Sequence, residues 1–176
     1  MISENKEVTP KNYDDYWTQT GILLDERIQE IRDLCPKVES VVDLGGGSGG
    51  LAKELNALVV DWSPVACEIA KGQNIQVVCD NILNFLKTDQ KFDLVILADV
   101  IEEMKAEETK ELLEGIRKIC NKYFVISTPT HENYLDISTH QVIYSEEELV
   151  KMITDLGFVK DSVNKHSDRL IVRFKL

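Results

Sequence analysis

The sequence predicts an α/β fold: a seven-stranded, mostly parallel sheet with an antiparallel C-terminal strand, lying between two layers of helices. Three observations carry this expectation. Short β-branched runs alternate with helical patterns from about residue 40 onward. A glycine-rich turn follows the first of those runs without a spacer. The last two strand-like runs are joined only by the polar stretch Asn164 to Asp168, too short for a crossover helix, so they should form an antiparallel hairpin.

Taken in order, Met1 to Lys11 is polar and reads as a loose start that includes Pro10, and Tyr13, Tyr16 and Trp17 then cluster within five positions. Ile22, Leu23, Ile28, Ile31 and Leu34 recur at helical spacing, so an amphipathic helix is expected over roughly 20–34, stopped by Pro36. Ser40–Leu44 is the first strand, Leu51–Leu55 lies in a helix, and Leu58–Asp61 is the second strand. Pro64–Lys71 is helical, with Ser63 as N-cap and Pro64 at the first helical position. Ile75–Cys79 and Phe92–Ala98 are the third and fourth strands, Ala106–Cys120 a long helix, and Tyr123–Ser127 the fifth strand. Ser145 with Glu148 makes a capping box for a helix that runs to Leu156 and is ended by Gly157. Phe158–Val163 and Arg169–Leu176 complete the count of seven strands.

The length of 176 residues suits one domain. Within it, residues 1–36 read as an N-terminal cover segment and helix, and residues 37–176 as the sheet core. A 43% hydrophobic and 29% charged composition is that of a globular protein. The longest apolar runs, such as Leu94–Ala98, are too short to cross a bilayer, and the N-terminus lacks a secretory pattern, so a cytoplasmic protein is expected. Cys35, Cys67, Cys79 and Cys120 are scattered and form no C-x-x-C pair; they read as small buried apolar residues rather than a zinc or disulfide framework. The net charge of −11 argues against nucleic acid or an anionic membrane as partner. A small-molecule partner fits better, with the protein a monomer or homodimer.

The strand Val41-Val42-Asp43-Leu44 leads into Gly45-Gly46-Gly47-Ser48-Gly49-Gly50. Glycines suit a sharp strand-to-helix turn that lets a ligand approach the backbone. Gly45, Gly47 and Gly50 also satisfy the dinucleotide pattern G-x-G-x-x-G, with Asp61 at a distance suited to a ribose, so that alternative stays open from the loop alone. Asp43 favours another ligand, because an anion beside the loop repels a pyrophosphate and attracts an ammonium or sulfonium group. Asp61 can accept both hydroxyls of a ribose, Trp62 can lie against an adenine, and Asp80 can accept from the adenine amine. Asp99 ends the fourth strand, which brings four acids to four successive strand ends, where open α/β sheets bind their ligands. Taken singly, each aspartate can equally be a helix N-cap.

These residues resemble the class I S-adenosylmethionine-dependent methyltransferases from about residue 40 to the C-terminus, and its small-molecule O-methyltransferase branch in particular. The resemblance implies a three-layer Rossmann-like sheet and S-adenosylmethionine as cofactor. Its first motif, an acid followed by G-x-G-x-G, matches Asp43, Gly45, Gly47 and Gly49, with Gly46 inside the same loop. The ribose acid matches Asp61 with Trp62 beside it, and the adenine acid matches Asp80, followed by Asn81 and Ile82. Phe92 to Glu102 resembles the fourth strand, whose end, Ala98 and Asp99, lies near the methionine part of the cofactor. Ser127-Thr128-Pro129 and the region from His140 to Phe158 resemble the end of the fifth strand and the approach to the sixth.

Methyl transfer is an in-line displacement that requires alignment and, for oxygen or nitrogen acceptors, removal of a proton. His140 is the first candidate for that base, and Asp99 is the other catalytic candidate; His131 is a weaker candidate for the base, and His166 falls in the hairpin turn. Asp99, Glu102, Glu103 and His140 faintly resemble the metal cluster of small-RNA methyltransferases, although relatives often carry histidine where Glu103 stands. The preferred reading is a solvated acidic helix start and no metal. Tyr13, Tyr16 and Trp17 form either a lid over the cofactor or a packing patch on the sheet. The function expected is methyl transfer to oxygen or nitrogen of a small molecule. A non-catalytic S-adenosylmethionine-binding partner protein and, less favoured, an NAD-binding oxidoreductase are the alternatives.

Overall fold

A computed structural model describes residues 9–20, 26–130, 140–165 and 168–176. The strands are β1 (Val41–Leu44), β2 (Leu58–Asp61), β3 (Val77–Cys79), β4 (Phe92–Ala98), β5 (Cys120–Pro129), β6 (Val159–Lys165) and β7 (Arg169–Lys175). They form one sheet in the order β3-β2-β1-β4-β5-β7-β6. Strands β1 to β5 pair in parallel, whereas β7 runs antiparallel to both β5 and β6. The chain builds outward from β1 to β3 and then returns to the other side of β1 with β4. That reversal opens a crevice beyond the carboxyl ends of β1 and β4, the usual ligand position in such sheets.

The helices are α1 (Pro10–Thr20), α2 (Glu26–Leu34), α3 (Gly50–Leu55), α4 (Pro64–Gly72), α5 (Ile82–Phe85), α6 (Ala106–Ile119) and α7 (Glu146–Thr154), with a 3₁₀ turn at Ile101–Glu103. Strand parity decides which helices each residue meets. Val42, Leu44, Val95 and Leu97 join Leu112, Ile116, Leu149 and Ile153 from α6 and α7 in one core. Val41, Val59, Leu94 and Ile96 point the other way, onto Ile28, Ile31 and Leu34 of α2 and Leu51 and Ala52 of α3. Both faces of the central strands are therefore covered, which is why β1 and β4 are largely apolar, whereas the edge strand β6 is polar.

Local signals explain most boundaries. Ser63 accepts the Ala66 N–H and Pro64 opens α4, and the Ser145–Glu148 box closes the start of α7. Gly157 ends that region with φ +90°.

Five expectations change. Pro10 and Lys11 belong to α1 rather than to a loose start, because proline's missing N–H costs nothing in a first turn. The expected helix over 20–34 is α2 from Glu26, Thr20 closes α1, and Ile22 and Leu23 lie outside the described residues. Helix α5 was not expected; Asn81 starts it by accepting the Leu83 N–H. Cys120 begins β5 instead of ending α6, since it pairs with Phe92. The cysteines also divide: Cys67 and Cys120 are buried, Cys35 is half-buried, and Cys79 is exposed at the end of the edge strand β3. Among the described residues no helix is long and apolar enough to cross a membrane.

Candidate active site

Strand β1 ends in the middle of the sheet, and the chain must turn at once into α3. Gly45 and Gly47 take φ of +75° and +55°, a region costly for residues with a Cβ. Crowding reinforces the requirement: a Cβ on Gly45 would lie 2.5 Å from Cγ2 of Val100, and one on Gly47 2.2 Å from Cζ2 of Trp17. At Gly46 a Cβ would lie 2.7 Å from the Asp43 carboxylate, and Gly49 stands at the N-cap of α3. The Gly45 N–H donates to the Val60 carbonyl at 2.7 Å, tying the loop to β2.

Asp43 is paired with Val59 and so shares a sheet face with Val59 and Asp61. It is 2% exposed, and burial pushes its carboxyl up to about 7, with the nearby Asp61 charge adding to the effect. Asp61 accepts the Gly47 N–H at 2.9 Å and the Ser63 N–H at 2.8 Å. Burial raises its carboxyl above the usual range, while backbone donors from Ser63, Gly47 and Trp62 oppose that shift. Each Asp61 oxygen holds one of those two bonds and retains a lone pair for a further donor.

Asp80 lies on the exposed rim, where its carboxylate accepts the Asn81 N–H at 2.7 Å and the Asn84 amide at 3.3 Å. Its own N–H donates to the Asp61 carbonyl at 3.0 Å. Asn81 is the α5 cap, and Ile82 directs Cδ1 to within 3.6 Å of the Cβ position of Gly45. Trp62 is half-buried with its ring 6.3 Å from that of Tyr13, and Ala98 is half-buried at the end of β4. The structure thus brings Asp43, Asp61 and the glycines together and sets Asp80, Asn81 and Trp62 along one rim.

On the other side of the crevice, Asp99 has φ +53°. Its carboxylate accepts the Ser127 hydroxyl at 2.9 Å and forms an ion pair with Arg169, itself 3% exposed. Asp99 therefore ties the end of β4 to β5 and β7. His140 is half-buried on a segment anchored to the 3₁₀ turn, because the Gln141 and Val142 N–H groups donate to the Glu102 carbonyl at 2.6 and 3.2 Å. The Glu102 side chain is 1% exposed and accepts the Thr128 hydroxyl at 3.2 Å. Burial holds its carboxyl well above the ordinary range, and the Asp99 and Glu103 charges push the same way. Among the described residues no group of three or more His, Cys, Asp or Glu side chains is placed to hold a metal. His131 and His166 lie outside the described residues.

Helix α1 lies across this crevice. The Asp14 carboxylate accepts the Ser63 hydroxyl at 2.5 Å and the Val65 N–H at 3.3 Å, at the start of α4. The Tyr13 hydroxyl donates to Glu103 on the opposite wall. Between them the Trp17 indole rests on Gly47, and its buried Nε1–H has no acceptor among the described residues.

A family model described as "Methyltransferase domain" matches residues 16–163. The chain belongs to this methyltransferase family. Its fold is that of the S-adenosylmethionine-dependent enzymes. The magnesium protoporphyrin IX methyltransferase of Synechocystis PCC 6803, solved with bound S-adenosylhomocysteine, has a TM-score of 0.72 at 16% identity, covering 94% of this chain and 98% of that one. A possible histamine N-methyltransferase of Thermotoga maritima gives 0.72 at 18% identity, covering 94% of each chain. The N-methyltransferase NodS of Bradyrhizobium japonicum gives 0.69 at 17% identity, over 85% of this chain and 83% of that one. Among curated protein sequences, none matches the chain.

Several residues of this methyltransferase were not legible as site residues in its sequence. Arg169 is one basic residue at the start of a strand, and nothing local marks it as the partner of Asp99. Asp14 looks like a solvated helix acid until α1 is laid over α4. Tyr13 and Trp17 did carry a signal: their four-residue spacing puts both on one face of a helix.

Proposed function

We propose that this methyltransferase binds S-adenosylmethionine over the Gly45–Gly49 loop and passes its methyl group to an oxygen or nitrogen of a small-molecule acceptor. The observation that carries the reading is Asp43, a carboxylate buried directly behind the loop. An isolated buried anion is costly, and a ligand bearing an ammonium and a sulfonium offsets that cost, whereas a pyrophosphate adds to it. One further observation supports the reading: the Trp17 indole lies against Gly47, and its buried Nε1–H, without an acceptor among the described residues, offers a donor at that end of the loop. Asp61 is the ribose acceptor, with Trp62, Asp80, Asn81 and Ile82 along the adenine rim and Gly45, Gly46, Gly49 and Ala98 forming the floor.

When bound, the cofactor supplies an electrophilic methyl carbon on a positively charged sulfur. The protein's part is to hold the acceptor in line, exclude water and take up a proton. His140 is the group we assign to the proton, on the segment pinned to Glu102. Asp99 keeps Arg169 and Ser127 in place and fixes the wall next to it. Tyr13 and Trp17 cover the crevice as a lid.

Isothermal titration with S-adenosylmethionine, S-adenosylhomocysteine and NAD should show binding of the first two alone. Methyl transfer to a panel of amines and hydroxyl compounds should then fall about 10²-fold in kcat for His140→Ala, with cofactor Kd unchanged. Binding of NAD alone would overturn the cofactor assignment. An active His140→Ala enzyme with wild-type kcat would remove the base.

A further inference from the structure

Methyl transfer makes no use of two thiols that lie beside Asp61 at the edge of this site. Cys79 is the strand partner of Asp61, so the two side chains leave the same face of the sheet. Cys67, fully buried on α4, donates its Sγ–H to the Asp61 carbonyl at 3.3 Å. That carbonyl also accepts the Asp80 N–H at 3.0 Å. Both thiols therefore sit beside the Asp61 backbone, Cys67 on its carbonyl and Cys79 at the paired position of the next strand, and the nearness of Cys79 adds to the upward shift that burial gives the Cys67 thiol. Their exposure differs: Cys79 is open to solvent and Cys67 is not. Cys35 and Cys120 are engaged elsewhere, on the carbonyls of Ile31 and Tyr123.

We propose that Cys67 and Cys79 are a reversible oxidation site whose disulfide closes at the adenosine end of the cofactor crevice. The oxidant is hydrogen peroxide. The Cys79 thiolate attacks the peroxide oxygen, the O–O bond breaks, and Cys79 becomes a sulfenic acid while hydroxide leaves. The Cys67 sulfur then attacks the Cys79 sulfur. The S–S bond forms, the S–O bond breaks, and the Cys67 proton leaves with that oxygen as water. Two thiols are oxidised by two electrons and one peroxide is reduced to two waters. Exposure decides the order, since peroxide reaches Cys79 and not Cys67. Burial also keeps Cys67 a thiol until its partner is activated.

The bond couples to the crevice through shared atoms. An S–S bond of about 2.05 Å draws the end of β3 onto α4 and removes the Cys67 hydrogen bond to the Asp61 carbonyl. Asp80 follows Cys79 directly and hangs from that same carbonyl. Weaker cofactor binding follows from this displacement, and that part rests on the site reading above; the thiol chemistry does not.

The experiment treats the reduced full-length protein with hydrogen peroxide, counts free thiols, maps peptides by mass, and then measures S-adenosylhomocysteine binding. The expected result is loss of two of the four thiols and one Cys67–Cys79 linked peptide, two hydrogens lighter and restored by dithiothreitol. No such peptide should form in Cys79→Ser or in Cys67→Ala. Cys79 ending as a sulfinic acid with Cys67 still free, or all four thiols surviving, overturns the site. A linked protein should bind S-adenosylhomocysteine at least about fivefold more weakly than the reduced one. Unchanged affinity overturns the coupling. Failure of the reduced protein to bind it at all overturns the cofactor reading and leaves the disulfide standing.

Discussion

Replacing Asp43 with asparagine keeps the shape of the side chain and removes its titration, so the variant isolates the energetic role of one buried charge. The Asp43 carboxyl moves from an ordinary value of 3.8 to about 7 in the folded protein. A raised folded value means that the folded state holds this proton more tightly than the unfolded state does. Stability is therefore lost as pH rises through the window from about 4 to 7, and the loss is complete above it. The full penalty is roughly 4 kcal/mol, at about 1.36 kcal/mol for each pKa unit. About 2.5 kcal/mol of it falls between pH 5 and pH 8 by the same linkage. Urea unfolding of the ligand-free proteins at pH 5, 6, 7 and 8 measures it directly. The stability of Asp43→Asn relative to wild type should improve by about that amount across the series. Parallel profiles, or a difference that grows toward acid, would refute the reasoning. The same charge predicts that the wild-type protein binds the cationic cofactor more tightly as pH rises through 7, a trend that the variant should lack.

Two further substitutions test the frame of the site. Gly47→Ala places a methyl group where Trp17 lies and forces a positive φ on a residue with a Cβ. It should cost about 2 kcal/mol of stability and shift the tryptophan emission, read by denaturation followed in fluorescence. Arg169→Ala leaves the Asp99 charge facing Ser127 alone and should destabilise by roughly 3 kcal/mol in thermal unfolding. A change below about 0.5 kcal/mol, within the range of ordinary surface substitutions, would show that the pair is not structural.

The parts of the fold that local chemistry dictates were legible. The β-branched and apolar runs at Val41–Leu44 and Phe92–Ala98, the Ser63-Pro64 start, the Ser145–Glu148 box and the short link before β7 each act within a few residues. Loop Gly45–Gly49 and the acids Asp43 and Asp61 were legible for the same reason, since a sharp turn and a strand end fix their positions. Interactions between distant segments were not. Tyr13 meets Glu103, and Asp99 meets Arg169, only after the sheet has closed. The polar composition of Pro10–Thr20 concealed a helix whose half-buried Tyr13 and Trp17 lie against Trp62 and the glycine turn. Exposure of Cys79 depends on β3 being an outer strand, which is a property of strand order and not of the residues around it.

That strand order also sets a schedule. β6 is synthesised before β7, yet in the sheet it pairs with β7, which lies between it and β5. Until Arg169–Lys175 has emerged, β5 has an open edge and β6 has nothing to join. During synthesis, then, β1 to β5 can pair while the outer edge of β5 waits for β7. The residue that begins the insertion is Arg169, so the charge on Asp99 is neutralised in the same event that closes the sheet.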